Sequence, residues 1–165
     1  MSAPRRIYLS SSLANARLNA RLREVLPAAR YELVLPQEFS PLERTHARFP
    51  RAIYERCIEE MEACDLALIL LDAFGVDCAS EAGWLCARQK PLVGVAMANT
   101  RFLQHWMIKG NLSGVVSLDA CVHAEVAEDP ILRDVPTVLS EGWSGLAQGL
   151  ETVWERLAPV ERIRR

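Results

Sequence analysis

The feature that most constrains this chain is an uninterrupted apolar run, Leu66-Ala-Leu-Ile-Leu-Leu71, entered from Asp65 and left at Asp72. A strand with one wet face alternates apolar and polar side chains, so an unbroken apolar run of this length points to a strand covered on both faces. That is the position of a central strand in a parallel sheet. Parallel neighbours need crossover connections, usually helical, so such a strand commits the chain to helices above and below the sheet. The flanking residues supply them. From Arg51 to Ala63, the side chains Ile53, Tyr54, Cys57, Ile58 and Met61 recur at helical spacing, with Glu55, Glu59 and Glu62 on the opposite face. Beyond the run, Asp72-Ala-Phe-Gly-Val-Asp77 reads as a turn, and a helix is predicted from about Cys78 to Gln89 with Glu81 in its first turn.

The same alternation extends in both directions. Arg6-Ile-Tyr-Leu-Ser10 is a short strand followed by a helical pattern through Leu13, Leu18, Leu22, Val25 and Leu26. Tyr31 to Leu35 is a second strand, stopped by Pro36 and opening into a polar loop from Gln37 to about Phe49. Pro91 to Ala96 and Gly114 to Ser117 supply two more strands, separated by a short helix from Arg101 to Lys109. The stretch from Cys121 to Ser140 carries Pro130 and Pro136 and predicts only loop and short helix. Trp143, Leu146, Leu150, Val153, Trp154 and Leu157 mark a last amphipathic helix, whose simplest use is to pack on its own sheet. Arg162 to Arg165 reads as a solvated tail. The expectation is one domain over residues 1–165: an α/β, three-layer, doubly wound fold on a five-stranded parallel sheet, flavodoxin-like or Rossmann-like.

Composition narrows the partners. A formal charge of -2 without a clustered basic stripe argues against a nucleic-acid polymer as ligand. No segment approaches the roughly 18 to 20 apolar residues that span a bilayer, so no membrane is expected. Met1 to Arg6 passes into the first strand without the apolar stretch of a secretory signal, which predicts a cytoplasmic protein. Five cysteines with no CxxC pair suit a reducing compartment, mostly as core residues, and no motif calls for a metal or other cofactor. A small-molecule ligand remains.

Ligands of an open parallel sheet collect at the carboxyl ends of its strands. After the first strand, Ser10, Ser11 and Ser12 offer hydroxyls and amides that suit either an anion such as phosphate or a plain helix cap. After the most buried strand come Asp72, Asp77 and Glu81, with Gly83 leaving room for a ligand or a helix beside the acid. A carboxylate there serves as a helix-dipole partner or as a nucleophile, Asp77 as a cap or an acid catalyst, Asp72 as a turn residue or an acid catalyst. Phe102, Trp106 and Met107 read as core or interface residues, or as an aromatic wall for a base. His46, His105 and His123 lack a carboxylate partner in sequence and are weak acid-base candidates.

Taken together, Ile7-Tyr-Leu-Ser-Ser11, Ala63-Cys-Asp65 before the apolar strand, Ser80-Glu81-Ala-Gly83-Trp84 and Lys90-Pro91 resemble the nucleoside 2-deoxyribosyltransferase family over roughly residues 6 to 96. That family includes nucleotide N-glycosidases that use water as acceptor. The resemblance implies that Glu81 is the nucleophile that attacks the anomeric carbon of a nucleoside or nucleotide and holds the sugar as a covalent ester. Asp77, and less so Asp72, would then assist the leaving base, and Tyr8, Ser10, Ser11, Ser12, Cys57 and Gly83 would form the substrate-binding set. Two positions depart from the family pattern: Cys57 stands where many members have Asp or Asn, and Asp77 where many have glycine. Family likeness also implies at least a homodimer whose subunits complete one another's sites. The competing readings are a non-catalytic nucleotide-binding module of the same fold and, further off, an electron-transfer or response-regulator-like domain, which the serines ending the first strand disfavour.

Overall fold

The computed structural model describes residues 3–39 and 50–161. Most of the polar loop read between Gln37 and Phe49, His46 within it, and the tail from Arg162 lie outside the described residues.

The apolar run forms β3 (Leu66–Leu70), every residue of it buried. It pairs in parallel with β1 (Arg5–Ser10) on one side and β4 (Leu92–Ala96) on the other. β2 (Tyr31–Val34) extends the sheet beyond β1, and β5 (Gly114–Ser117) extends it beyond β4. A sixth parallel strand, β6 (Thr137–Leu139), pairs with β5 and corrects the expected count of five. It is three residues long, lies at the edge and follows Pro136, so its sequence is too short to show a period. The order among the described residues is β2-β1-β3-β4-β5-β6. Its direction reverses at β1, because the chain moves outward to β2 and then returns to place β3 on the other side. The crevice between the carboxyl ends of β1 and β3 is therefore the topological switch point.

Strand pleating sorts the side chains into two cores. Ile7, Leu9, Leu66, Leu68, Leu70, Val93, Val95 and Val116 face α1 (Ala16–Val25) and α6 (Leu146–Glu161). Tyr8, Ala67, Ile69, Leu71, Leu92 and Val115 face the other layer. That layer holds α2 (Pro50–Ala63), α3 (Val76–Ala87), α4 (Trp106–Asn111) and α5 (Ala120–Glu128). Each leucine or isoleucine buried in this way contributes about 1.5–3 kcal/mol, so β3, buried on both faces, anchors both layers. The last helix does pack on its own sheet, through Leu146, Leu150 and Val153. Arg5 braces it by bonding Glu151 at 3.2 Å beneath the Trp154 ring, 4.3 Å from its centroid.

Close approach of α6 and β6 to β5 makes Gly114 a packing requirement. A Cβ there would lie 2.5 Å from Val153 Cγ1 and 3.1 Å from the Pro136 carbonyl oxygen. Gly114→Ala is expected to destabilise the fold by about 1–3 kcal/mol, seen as a lower urea midpoint at unchanged slope.

Candidate active site

Because side chains two apart on a strand share a face, β1 delivers Tyr8 and Ser10 together to the layer of α2 and α3. Both are fully buried. Helix α3 starts at Val76 with Gly75 as its cap, two residues earlier than the sequence suggests, so Glu81 lies in the second turn rather than the first. Cys78, Ala82 and Leu85 of that helix point into the core, which leaves Glu81 on the flank nearest β1. The Tyr8 hydroxyl donates to Glu81 Oε1 at 2.7 Å and the Ser10 hydroxyl donates to Oε2 at 2.5 Å. Glu81 thus sits at the switch point, with each carboxylate oxygen accepting from a strand hydroxyl.

The electrostatics are those of a carboxylate in a dry place. Burial pushes the Glu81 carboxyl above its ordinary value; the Ser10 and Tyr8 hydroxyls pull it back, Asp77 adds to the rise, and the net direction is upward. Burial and then the neighbouring Glu81 charge hold the Tyr8 phenol well above its usual range, so it stays a donor. Cys57, on α2, is half-buried beside the Tyr8 hydroxyl. Burial raises its thiol, the Tyr8 contact opposes this, and the charges of Glu81 and Asp77 reinforce it.

Other candidates are distributed differently. Asp77 is exposed in the first turn of α3, one turn outward from Glu81 and on the same flank, and it caps nothing. Asp72 is fully engaged as a loop anchor: it accepts from the amides of Met97 at 2.6 Å, Ala98 at 2.7 Å and Asn99 at 2.8 Å, and from Asn99 Nδ2 at 3.0 Å. These four contacts give Asp72 a structural role at the rim of the sheet. Ser12 is a cap, accepting from the Ala14 amide at 3.3 Å, and Ser11 accepts weakly from Asn15 Nδ2 at 3.4 Å. Gly83 is exposed and a Cβ on it would meet nothing, so it borders open space and no other part of the chain packs closely on it. Cys64 and Cys78 are core residues, whereas Cys86 and Cys121 are exposed.

Phe102 is core, but Trp106 and Met107 are 77% and 78% exposed. With Phe74, Ala79, Gln104, His105 and Ile108 they line an apolar hollow of about 480 Å³ on the other flank of α3. His105 stands edge-on to Phe74, ring centroids 5.2 Å apart. A second hollow, about 700 Å³, lies around Arg5, Asp65 and Trp154 at the amino-terminal ends of β1, β2 and β3. Glu81 lines neither hollow. Among the described residues no three His, Cys, Asp or Glu side chains converge as metal ligands, and no helix is long and apolar enough to cross a membrane. Asn15 escaped the sequence reading: its Nδ2 donates to the Ala73 carbonyl at 2.8 Å and pins the turn after β3 to the end of β1. Its only signal is an amide residue just past the serines.

A family model for nucleoside 2-deoxyribosyltransferases matches residues 7–134. The chain belongs to that family. The match runs beyond the motifs legible by eye and takes in α4, β5 and α5. Among solved structures, the family member is similar to a 2-deoxyribosyltransferase from the psychrotolerant bacterium Bacillus psychrosaccharolyticus, at 17% identity and TM-score 0.55 over 67% of this chain and 84% of that one. It is also similar to a conserved protein from Enterococcus faecalis V583, at 18% identity and TM-score 0.54 over 90% of this chain and 98% of that one. These likenesses extend to the fold. No curated protein sequence matches the chain.

A carboxyl whose folded value lies above its unfolded one favours the protonated folded form, and stability falls as pH rises from the unfolded value through the folded one. Above that window the buried Glu81 charge is a cost. In this deoxyribosyltransferase-family chain, Glu81→Gln is expected to melt higher than the parent at about pH 8, the gap narrowing as the pH falls toward about 4, measured by scanning calorimetry.

Proposed function

We propose that this chain cleaves or transfers the N-glycosidic bond of a (deoxy)nucleoside or nucleoside monophosphate, with Glu81 as nucleophile. The observation that carries the reading is the Glu81 carboxylate itself. It is partly buried at the switch point, held at both oxygens by hydroxyls, and paired with no lysine or arginine among the described residues.

A carboxylate so placed stabilises positive charge growing at the anomeric carbon and then bonds to it, dividing one hard displacement into two easier ones. In the first step a Glu81 oxygen attacks C1′ and the C1′–N bond breaks. Its electron pair goes to the base, which takes up a proton. In the second step water, or a nitrogen of an incoming base, attacks C1′; the ester bond breaks, the carboxylate is regenerated and the acceptor loses a proton. A leaving base needs an acid nearby. Asp77, one helical turn outward on the flank of Glu81, is where a heterocycle would extend from a sugar held over Glu81, and it takes that role.

Glu81 lines neither hollow, and Val76, at the start of α3, is 85% exposed together with Trp106 and Met107. A second copy covering this rim would close the site, in keeping with the homodimer that family likeness implies. Light scattering is expected to return a mass at least twice that of one chain.

Incubation with a panel of nucleosides and monophosphates, with and without a second free base, is expected to release base and, where transfer operates, to form a new nucleoside seen by chromatography. Glu81→Gln should lower kcat/KM by about a thousandfold or more. A sugar trapped on the wild-type protein should map to the peptide containing residue 81. Ligands that raise Tm without any base release would instead favour the binding-module reading.

A further inference from the structure

We propose that Ser10 is a positioning residue: with Tyr8 it clamps the Glu81 carboxylate in one orientation and as an anion, rather than cradling a phosphate of the substrate. The inference rests on the proposed role of Glu81 for its kinetic consequences, while the clamp itself is measurable without substrate.

Ser10 was a candidate anion ligand because it opens a run of serines at a strand end. Its geometry assigns it elsewhere. Its side chain is fully buried, and its hydroxyl proton is directed to Glu81 Oε2 at 2.5 Å. A phosphate brought to the same hydroxyl would meet the carboxylate it already serves, like charge against like in a poorly solvated place. The bonds from Ser10 and Tyr8, at 2.5 and 2.7 Å, both have the length of charge-assisted O–H···O⁻ contacts.

The clamp is rigid because of where it is built. Tyr8 and Ser10 are held in the ladder with β3, opposite Ala67 and Ile69, so their hydroxyls are fixed relative to each other by backbone rather than by a loop. Tyr8 alone would leave the carboxylate free to turn about its last torsion. With Ser10 on the second oxygen, the carboxylate plane is tied to the sheet.

Nothing else among the described groups favours the anion. The titratable neighbours are Tyr8 on β1, Cys57 on α2, and Asp77 and Cys78 on α3, none of them cationic. Desolvation disfavours the ionised carboxylate, and each hydrogen bond donated to its charged form opposes that. Removing either hydroxyl should therefore raise the pH at which Glu81 becomes reactive.

The test follows the Glu81 carboxyl by NMR in protein labelled with ¹³C at glutamate side-chain carboxyls, its signal identified by loss in Glu81→Gln. Ser10→Ala is expected to move the Glu81 titration to higher pH, and Ser10→Thr, which keeps a hydroxyl, to leave it near the wild-type position. Ser10→Gly removes the hydroxyl with no added bulk and replaces Ser10→Ala if that variant does not fold. In kinetics, kcat/KM of the hydroxyl-free variant should fall by at least about tenfold on the acid side and by clearly less at alkaline pH, where only the loss of orientation remains. A Glu81 titration unchanged without the hydroxyl, or a rate loss uniform across pH, would overturn the proposal. A wild type that releases no base from any substrate would defeat the function above, and the NMR titration would still decide the clamp.

Discussion

The parallel ladder between β1 and β3 is the contact on which both the core and the site depend. Its register, from Ile7 opposite Leu66 to Ser10 opposite Ile69, places one set of alternate side chains under α1 and α6 and the other under α2 and α3. Both sets are apolar until the last turn of the pleat. There Tyr8 and Ser10 carry hydroxyls into an otherwise dry layer, and Glu81 of α3 answers them. A shift of one residue in this pairing would turn both hydroxyls into the opposite core and leave Glu81 without partners.

Glu81 illustrates how a fold tolerates a group that works against it. A buried carboxylate lowers stability at neutral pH, and its two hydrogen bonds offset that cost only in part, as the upward direction of its titration indicates. The surrounding structure is correspondingly over-determined. Asp72 gathers the amides of residues 97–99 to hold the loop after β4, and Asn15 holds the turn after β3. Such polar anchors at the strand ends keep the rim of the sheet in one arrangement, as the proposed attack by Glu81 would require.

Much of this was legible in the chain. The unbroken apolar run identified β3, and the two- and three-to-four-residue periods around it placed the neighbouring strands and helices. The acid after that run, with the family pattern around it, singled out Glu81. What escaped notice did so for physical reasons. β6 has three residues at an edge and carries no period. Asp72 looked like Asp77 in sequence, because nothing local reveals that amides from residues 97–99 converge on it. Trp106 and Met107, whose apolar character suits a core, an interface or a wall for a base equally, project outward and line a hollow, which nothing local in the sequence reveals.

The sequence by itself determined the layers and the succession along the chain of every strand but β6, because these follow from local periodicity, and its family resemblance drew attention to Glu81. Only the tertiary structure decided which groups attend that acid. Tyr8 and Ser10 are separated from Glu81 by 73 and 71 positions, and their meeting depends on a parallel register that no local pattern encodes. Hydrogen-bond partners are set by where strands and helices finish in space, so the same three serines could serve as caps, anion ligands or carboxylate donors until the sheet assigned each its place.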